Sequence, residues 1–129
     1  MVTVKAHIGT ILYKTEIKTE QHTLISDEPE AIGGGDLGFS PDELLAAALS
    51  ACTTTTLRMY ANRKGWTELE AIDVEVIFER LNNNSNMNRK ITLTGNITEE
   101  QRERLLYIAN RCPVHQTLSH PIVIDTTIS

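Results

Sequence analysis

The sequence predicts an α+β domain with mainly antiparallel sheets and a long central helix. Apolar and polar residues alternate in two regions, which predicts strands. A run at residues 44–52 that is apolar on all sides lies between those regions and predicts a buried helix. The strands follow one another in pairs separated by turn residues, which favours hairpins. The 129 residues, of which 40% are hydrophobic and 22% charged, fit a single domain, residues 1–129.

The N-terminal region is predicted to form a hairpin. Val2–Ile8 and Ile11–Lys18 both alternate, and Gly9-Thr10 lies between them as a turn. His22–Ser26 can add a third strand. Residues 27–40 are rich in glycine and proline and predict a loop. Three of these glycines are consecutive, but no GxxxxGK[ST] motif follows, so a loop is favoured over a phosphate-binding cradle.

The central helix has clear start and stop signals. Ser40 and Glu43 can form a capping box around Pro41, which suits the first helical position. The residues from Leu44 to Cys52 are apolar on all sides, which predicts a helix buried all round. Gly65 is the predicted stop.

The second half predicts another hairpin followed by helices. Leu69–Leu81 and Arg89–Ile97 are the expected strands, joined by an asparagine-rich turn. Thr98 begins a second capping box and an amphipathic helix. Cys112-Pro113 interrupts that helix, because proline cannot donate a hydrogen bond within it. A helical turn through Leu118 and a last strand, Ile122–Ile128, complete the prediction.

Charge and hydropathy narrow the class of protein. The net charge is -5, with 12 basic and 17 acidic residues, which argues against a nucleic-acid partner. The N-terminus lacks the pattern of a signal peptide, and the longest apolar stretch, Leu44–Leu49, is too short to cross a bilayer. We therefore expect a cytoplasmic protein without a membrane partner.

The chain has only two cysteines, Cys52 and Cys112. Two isolated thiols are often buried structural residues. Cys112, however, precedes Pro113 at a predicted helix start, where a thiol pKa tends to fall, and His115 lies one turn further on. Zinc binding by Cys112, His115 and His120 is an alternative, although their spacing is not that of a standard structural site. A Cys-His hydrolase is another, but no third member of a triad is evident.

Two segments carry a resemblance to a known family. Phe39–Cys52, with its proline eleven residues before the cysteine, and Cys112-Pro113-Val114-His115 are similar to the signature segments of the osmotically inducible protein C and organic hydroperoxide resistance (OsmC/Ohr) family. The resemblance extends to the order of strands and helices. It implies an OsmC-like fold in which two subunits interlock as an intertwined homodimer, with the cysteines at the interface.

The resemblance also implies an enzyme, a peroxiredoxin-like organic hydroperoxide reductase acting in oxidative stress defence. By match, Cys52 attacks the peroxide and becomes a sulfenic acid, and Cys112 then closes a disulfide. A dithiol, in the family a lipoylated protein, reduces that disulfide. Neither a metal nor an organic cofactor is expected.

The match is incomplete at two positions. The family's hydroperoxidases place a glutamate ten residues before the first cysteine, where this chain has Asp42, with Glu43 next to it; both are candidate catalytic residues. Their N-terminal arginine has no counterpart, because the first arginine is Arg58. The candidate replacements are Lys14 and Lys18, or Arg58 and Arg63 approaching from the partner subunit. This departure favours a less characterised branch of the family. The alternative to a peroxidase is then a dimeric protein that binds or senses a small apolar or thiol ligand.

Overall fold

The computed structural model describes residues 1–129, which separate into two units, residues 1–45 and 46–129. The predicted α+β class with antiparallel sheets is confirmed. The single domain remains a prediction.

The first unit contains a three-stranded antiparallel sheet. Its strands are β1 (Lys5–Ile8), β2 (Thr15–Lys18) and β3 (Thr23–Ser26), in that order across the sheet. The third strand is therefore present. The second strand begins later than predicted because residues 9–14 form a wider connection, closed by a hydrogen bond from the Lys14 N–H to the Ile11 carbonyl (3.1 Å). The first begins at Lys5, which pairs with Lys18, the last residue of β2.

The glycine-rich loop after β3 is organised around a buried carboxylate. Asp27 accepts hydrogen bonds from the backbone N–H groups of Tyr13, Glu28, Gly35 and Leu37, at 2.8 to 3.3 Å. The loop also contains a short 3₁₀ turn (Glu30–Ile32). These backbone N–H groups are therefore used to hold the loop around Asp27.

The long helix α1 (Pro41–Lys64) begins and ends as predicted. Glu43 Oε1 accepts from the Ser40 N–H (2.9 Å), while Ser40 Oγ accepts from the Glu43 N–H (3.3 Å), completing the capping box. Gly65 ends the helix with φ at +71°, a conformation that favours glycine. None of the helices combines the length and apolar character needed to span a bilayer.

The prediction that α1 is buried all round is wrong for the isolated chain. Its buried residues fall on one stripe: Leu49, Thr53, Leu57, Tyr60 and Ala61. On the other side a second stripe is exposed, formed by Ala48, Ala51, Thr55 and Met59. The reason is that one chain supplies packing partners for only one face of the helix.

The second unit pairs β4 (Leu69–Arg80) with β5 (Ser85–Gly95) as a long antiparallel hairpin. Its inward side chains pack with α1 and with α2 (Glu99–Ala109). Thr98 and Gln101 form the predicted capping box of α2. The core consists of Leu57, Tyr60, Ala61, Leu69, Leu105 and Ala109.

The C-terminal region confirms one prediction and corrects another. The helix α3 (Pro113–Leu118) follows the interruption at Cys112. The predicted last strand, Ile122–Ile128, is absent: these residues have no regular structure, and Val123 and Ile124 are 86% and 81% exposed. Alternation marks a segment able to form a strand, but a strand also requires a neighbouring strand to pair with.

Candidate active site

The two cysteines meet in the second unit. Cys52 lies half-buried in the middle of α1, and Cys112 is fully buried at the residue before α3. The Cys112 N–H donates to the Ala109 carbonyl (3.2 Å), and its carbonyl accepts from the Gln116 N–H (3.0 Å). These bonds fix the connection between α2 and α3, which contains Cys112. Both thiols are free, and the Cys112 side chain, as a hydrogen-bond partner of Cys52, lowers the pKa of Cys52.

Three groups donate to the sulfur of Cys52. Besides the Cys112 thiol, the Val114 backbone N–H at the start of α3 bonds to it. The Thr56 hydroxyl, one turn along α1, lies 3.8 Å from Sγ. Such donors favour the charged form of a sulfur over the neutral form. These partners therefore favour ionisation of Cys52.

The two thiols have pKa values shifted in opposite directions. Burial raises the pKa of Cys52, but the hydrogen bonds from Cys112, Val114 and Thr56 and the positive charge of Arg89 outweigh it, so the net shift is downward. Burial also raises the pKa of Cys112, and its hydrogen bond to Cys52 and the negative charge there raise it further. The pKa of Cys52 is thus lowered and that of Cys112 raised, an asymmetry suited to one nucleophile and one later-acting thiol.

Arg89 on β5 connects the elements around the cysteines. Its Nη1 donates to Thr53 Oγ1 (3.1 Å), and its Nη2 donates to Asn110 Oδ1 (3.1 Å) and lies 3.2 Å from His115 Nδ1. Thr53 is fully buried and donates its own hydroxyl hydrogen to the Leu49 carbonyl (2.7 Å). The guanidinium is consequently held by α1, α2 and α3 together.

The contact with Arg89 determines the state of His115. Because a guanidinium can only donate, Nδ1 must accept, and the ring hydrogen is then on Nε2. Burial and the Arg89 charge both lower the pKa of His115. The imidazole is therefore neutral at neutral pH and can accept a proton but not supply a positive charge.

The comparison with protein families is decisive at this point. Residues 33–127 match the model of the OsmC-like protein family. The chain belongs to this family. No curated protein is similar enough in sequence to match it.

Solved structures support the OsmC-like fold. A protein from Psychrobacter arcticus, described as a putative osmotic stress induced and detoxification response protein, is 25% identical, with a TM-score of 0.78 over 94% of this chain and 90% of that one. The Legionella pneumophila organic hydroperoxide resistance protein OsmC is 24% identical (TM-score 0.64; 92% and 88%). Bacillus subtilis OhrB, an organic hydroperoxide resistance protein, is 22% identical (TM-score 0.59; 91% and 89%).

The carboxylates predicted for this OsmC-like site lie in the first unit, in the opening turn of α1, whereas both cysteines lie in the second. Glu43 is engaged in the capping box with Ser40. A catalytic part for Asp42 or Glu43 remains a prediction. Cys52 and Cys112 therefore lie close together, and the part played by the two carboxylates requires experiment.

The candidate cations have other contacts in this OsmC-like chain. Lys18 pairs with Glu16 (2.9 Å). Arg58 donates to the Leu69 carbonyl (2.7 Å) and thereby ties α1 to β4. Arg63 lies over the Tyr60 ring, 5.4 Å from its centroid. The cation whose charge acts on Cys52, Arg89, was not among the candidates.

One sequence signal pointed to Arg89. It falls in register with Met87, Ile91 and Leu93 on the inward face of β5, where an arginine is out of place unless polar groups meet it. The donor Val114 had no such signal, because it acts through its backbone N–H. The alternative zinc site has no support in the geometry: no group of three His, Cys, Asp or Glu side chains is arranged to hold a metal, and His120 Nδ1 lies 2.6 Å from the Gln116 carbonyl oxygen.

Proposed function

We propose that this OsmC-like protein is a thiol-dependent peroxidase that reduces organic hydroperoxides in oxidative stress defence. The observation that carries the proposal is the hydrogen-bonded pair of Cys52 and Cys112 with pKa values shifted in opposite directions. A peroxidase of this type needs one ionised thiol and a second one within reach, and the lowered pKa of Cys52 beside Cys112 supports both.

The chemistry has two steps: an oxygen atom is transferred to Cys52, and a disulfide then forms. The Cys52 thiolate attacks the terminal peroxide oxygen, so that the S–O bond forms as the O–O bond breaks, leaving a Cys52 sulfenic acid and an alkoxide that takes a proton to become an alcohol. The sulfur of Cys112 then attacks the sulfenic sulfur, and water leaves as the disulfide forms. A dithiol, such as a lipoyl group on a protein, restores both thiols by exchange and is itself oxidised to a disulfide.

His115 is placed to assist the second step. It is neutral, adjoins Val114 and Cys112, and its backbone N–H donates to the sulfur of Cys112. That donation stabilises the thiolate that Cys112 must form when it attacks. The proposed reaction therefore relies on side chains and backbone amides of this chain and on the substrate peroxide.

An intertwined homodimer in the cytoplasm is part of the proposal. Two uncovered apolar features support a second copy as the partner: the exposed stripe of α1 and the C-terminal segment with Ile122, Val123, Ile124 and Ile128. A second chain would bury the stripe and could supply the strand that the segment lacks. Sedimentation velocity tests this directly; a monomer at micromolar concentration would contradict it.

The test of the peroxidase is a pair of measurements. Cys52→Ser should abolish consumption of cumene hydroperoxide in the presence of a dithiol reductant, while the wild-type protein turns over. Free thiols are then counted before and after one equivalent of hydroperoxide. Loss of two thiols per chain is expected from the wild type. Unchanged turnover in Cys52→Ser, or no loss of thiols, would refute the mechanism.

A second candidate function is binding or sensing of a small apolar or thiol ligand without turnover. It is favoured by the absence of any arginine before Arg58, since the family's hydroperoxidases use one there. Saturable ligand binding with two intact thiols after peroxide treatment is its expected signature. Efficient peroxide consumption with added dithiol would exclude it.

A further inference from the structure

Arg89 is a half-buried cation in contact with neutral groups. Its guanidinium nitrogens lie within hydrogen-bond distance of Thr53, Asn110 and His115. A charge removed from water is costly unless an opposite charge or several hydrogen bonds compensate. An anionic neighbour would therefore stabilise the Arg89 charge.

Two contacts of Arg89 adjoin groups that surround the sulfur of Cys52. On α1 it binds Thr53, the residue after Cys52. On α3 it touches His115, the residue after Val114, whose N–H donates to that sulfur. The titratable and charged groups that act on Cys52 are Cys112, from the segment before α3, and Arg89, from β5. Arg89 thus supplies a positive charge that acts on Cys52.

We propose that Arg89 holds Cys52 as a thiolate, in place of the N-terminal arginine on which the family's hydroperoxidases rely. The cation comes from β5, and the hydrogen bonds to Thr53 and Asn110 keep it in position. His115, which is neutral and accepts through Nδ1, adds an anchor without a competing negative charge. The role deepens the proposed peroxidase function, but it concerns the ionisation of Cys52, which can be measured without any peroxide.

The test compares Arg89→Gln with Lys90→Gln. Lys90 is the next residue of β5 and is exposed on the opposite face. Its substitution removes one positive charge, as Arg89→Gln does, so the two variants are matched. The rate of Cys52 alkylation is followed from acid to alkaline pH, with the labelled peptide identified by mass spectrometry, alongside thiolate absorbance in the ultraviolet. Thermal melting of each variant shows that it is folded.

In Arg89→Gln the thiolate fraction of Cys52 at neutral pH should fall roughly tenfold, as expected when one nearby opposite charge is removed. The alkylation rate should fall less, by about threefold, because a thiolate of higher pKa is a better nucleophile. Arg89→Lys keeps the positive charge but lacks the bidentate geometry of a guanidinium, and it should retain most of the thiolate. Lys90→Gln should titrate like the wild type.

A titration of Arg89→Gln that coincides with that of Lys90→Gln would overturn the role of Arg89. If Arg89→Gln does not fold, Arg89→Lys decides between the outcomes: a Cys52 that remains ionised supports the charge, and one as weakly ionised as an ordinary cysteine refutes it. Failure of the peroxidase assay in the wild type would leave this result intact. An unchanged titration would overturn the Arg89 role even if the wild type consumed peroxide.

Discussion

Cys112 acts on Cys52 before any oxidation takes place, and two substitutions separate this effect from its later role. Cys112→Ala removes the donor to the Cys52 sulfur, whereas Cys112→Ser keeps an O–H donor at the same buried position. A hydrogen bond to a charged group contributes about 1.5–3 kcal/mol, and a thiol is a weak donor, so the lower end applies. About 1.5 kcal/mol corresponds to roughly a tenfold change in the ratio of thiolate to thiol.

The assay is the pH dependence of Cys52 alkylation in the three proteins. Cys112→Ala should shift the titration of Cys52 to higher pH, while Cys112→Ser should stay close to the wild type or below it, because the hydroxyl is the stronger donor. Neither variant can form the disulfide, so both should accumulate the Cys52 sulfenic acid after one equivalent of hydroperoxide. Three coincident titrations would refute the reasoning that the Cys112 thiol stabilises the Cys52 anion.

The remaining predictions concern the stability of the two units. In the second, Leu105→Ala should reduce the free energy of unfolding by about 2–5 kcal/mol, since Leu105 is 1% exposed. Its neighbour Leu106 is 60% exposed, so Leu106→Ala should change it by less than about 0.5 kcal/mol; equal urea midpoints would contradict the assigned core. In the first unit, burial raises the pKa of Asp27, but four backbone N–H donors outweigh it, and the net shift is downward. The stabilisation is therefore present above the unfolded-state pKa and is lost as the pH falls through the lower folded-state value. Asp27→Asn should flatten this acid dependence of the urea midpoint, and an unchanged slope would contradict the cause.

Local signals in the sequence predicted most of the fold. The capping boxes at Ser40 and Thr98 and the stop at Gly65 lie where expected, because each depends on neighbours within a few residues. The hairpin of β4 and β5 was predicted for the same reason: alternation and a short turn specify it locally. The meeting of Cys52 and Cys112 came from the resemblance, since no local rule connects residues so far apart.

The failures have a common physical origin in interactions that a local pattern does not specify. The apolar run in α1 predicted burial on all sides, but the number of faces covered depends on how many neighbours the fold supplies. The segment Ile122–Ile128 alternates without a strand to pair with. Arg89 was missed because its partners are distant in sequence: Thr53 on α1, Asn110 at the end of α2 and His115 on α3. Its inward position therefore became meaningful only in three dimensions.

The opposed ionisation of the two sulfurs gives the proposed cycle an order of events. While Cys52 is negative, it suppresses deprotonation of its neighbour, so the resting pair does not expose two nucleophiles at once. Conversion of Cys52 to a neutral sulfenic acid removes that negative charge, and the amides of Val114 and His115 remain to favour a Cys112 anion. The second sulfur thus becomes reactive only after the first has been consumed, which limits the time available for over-oxidation.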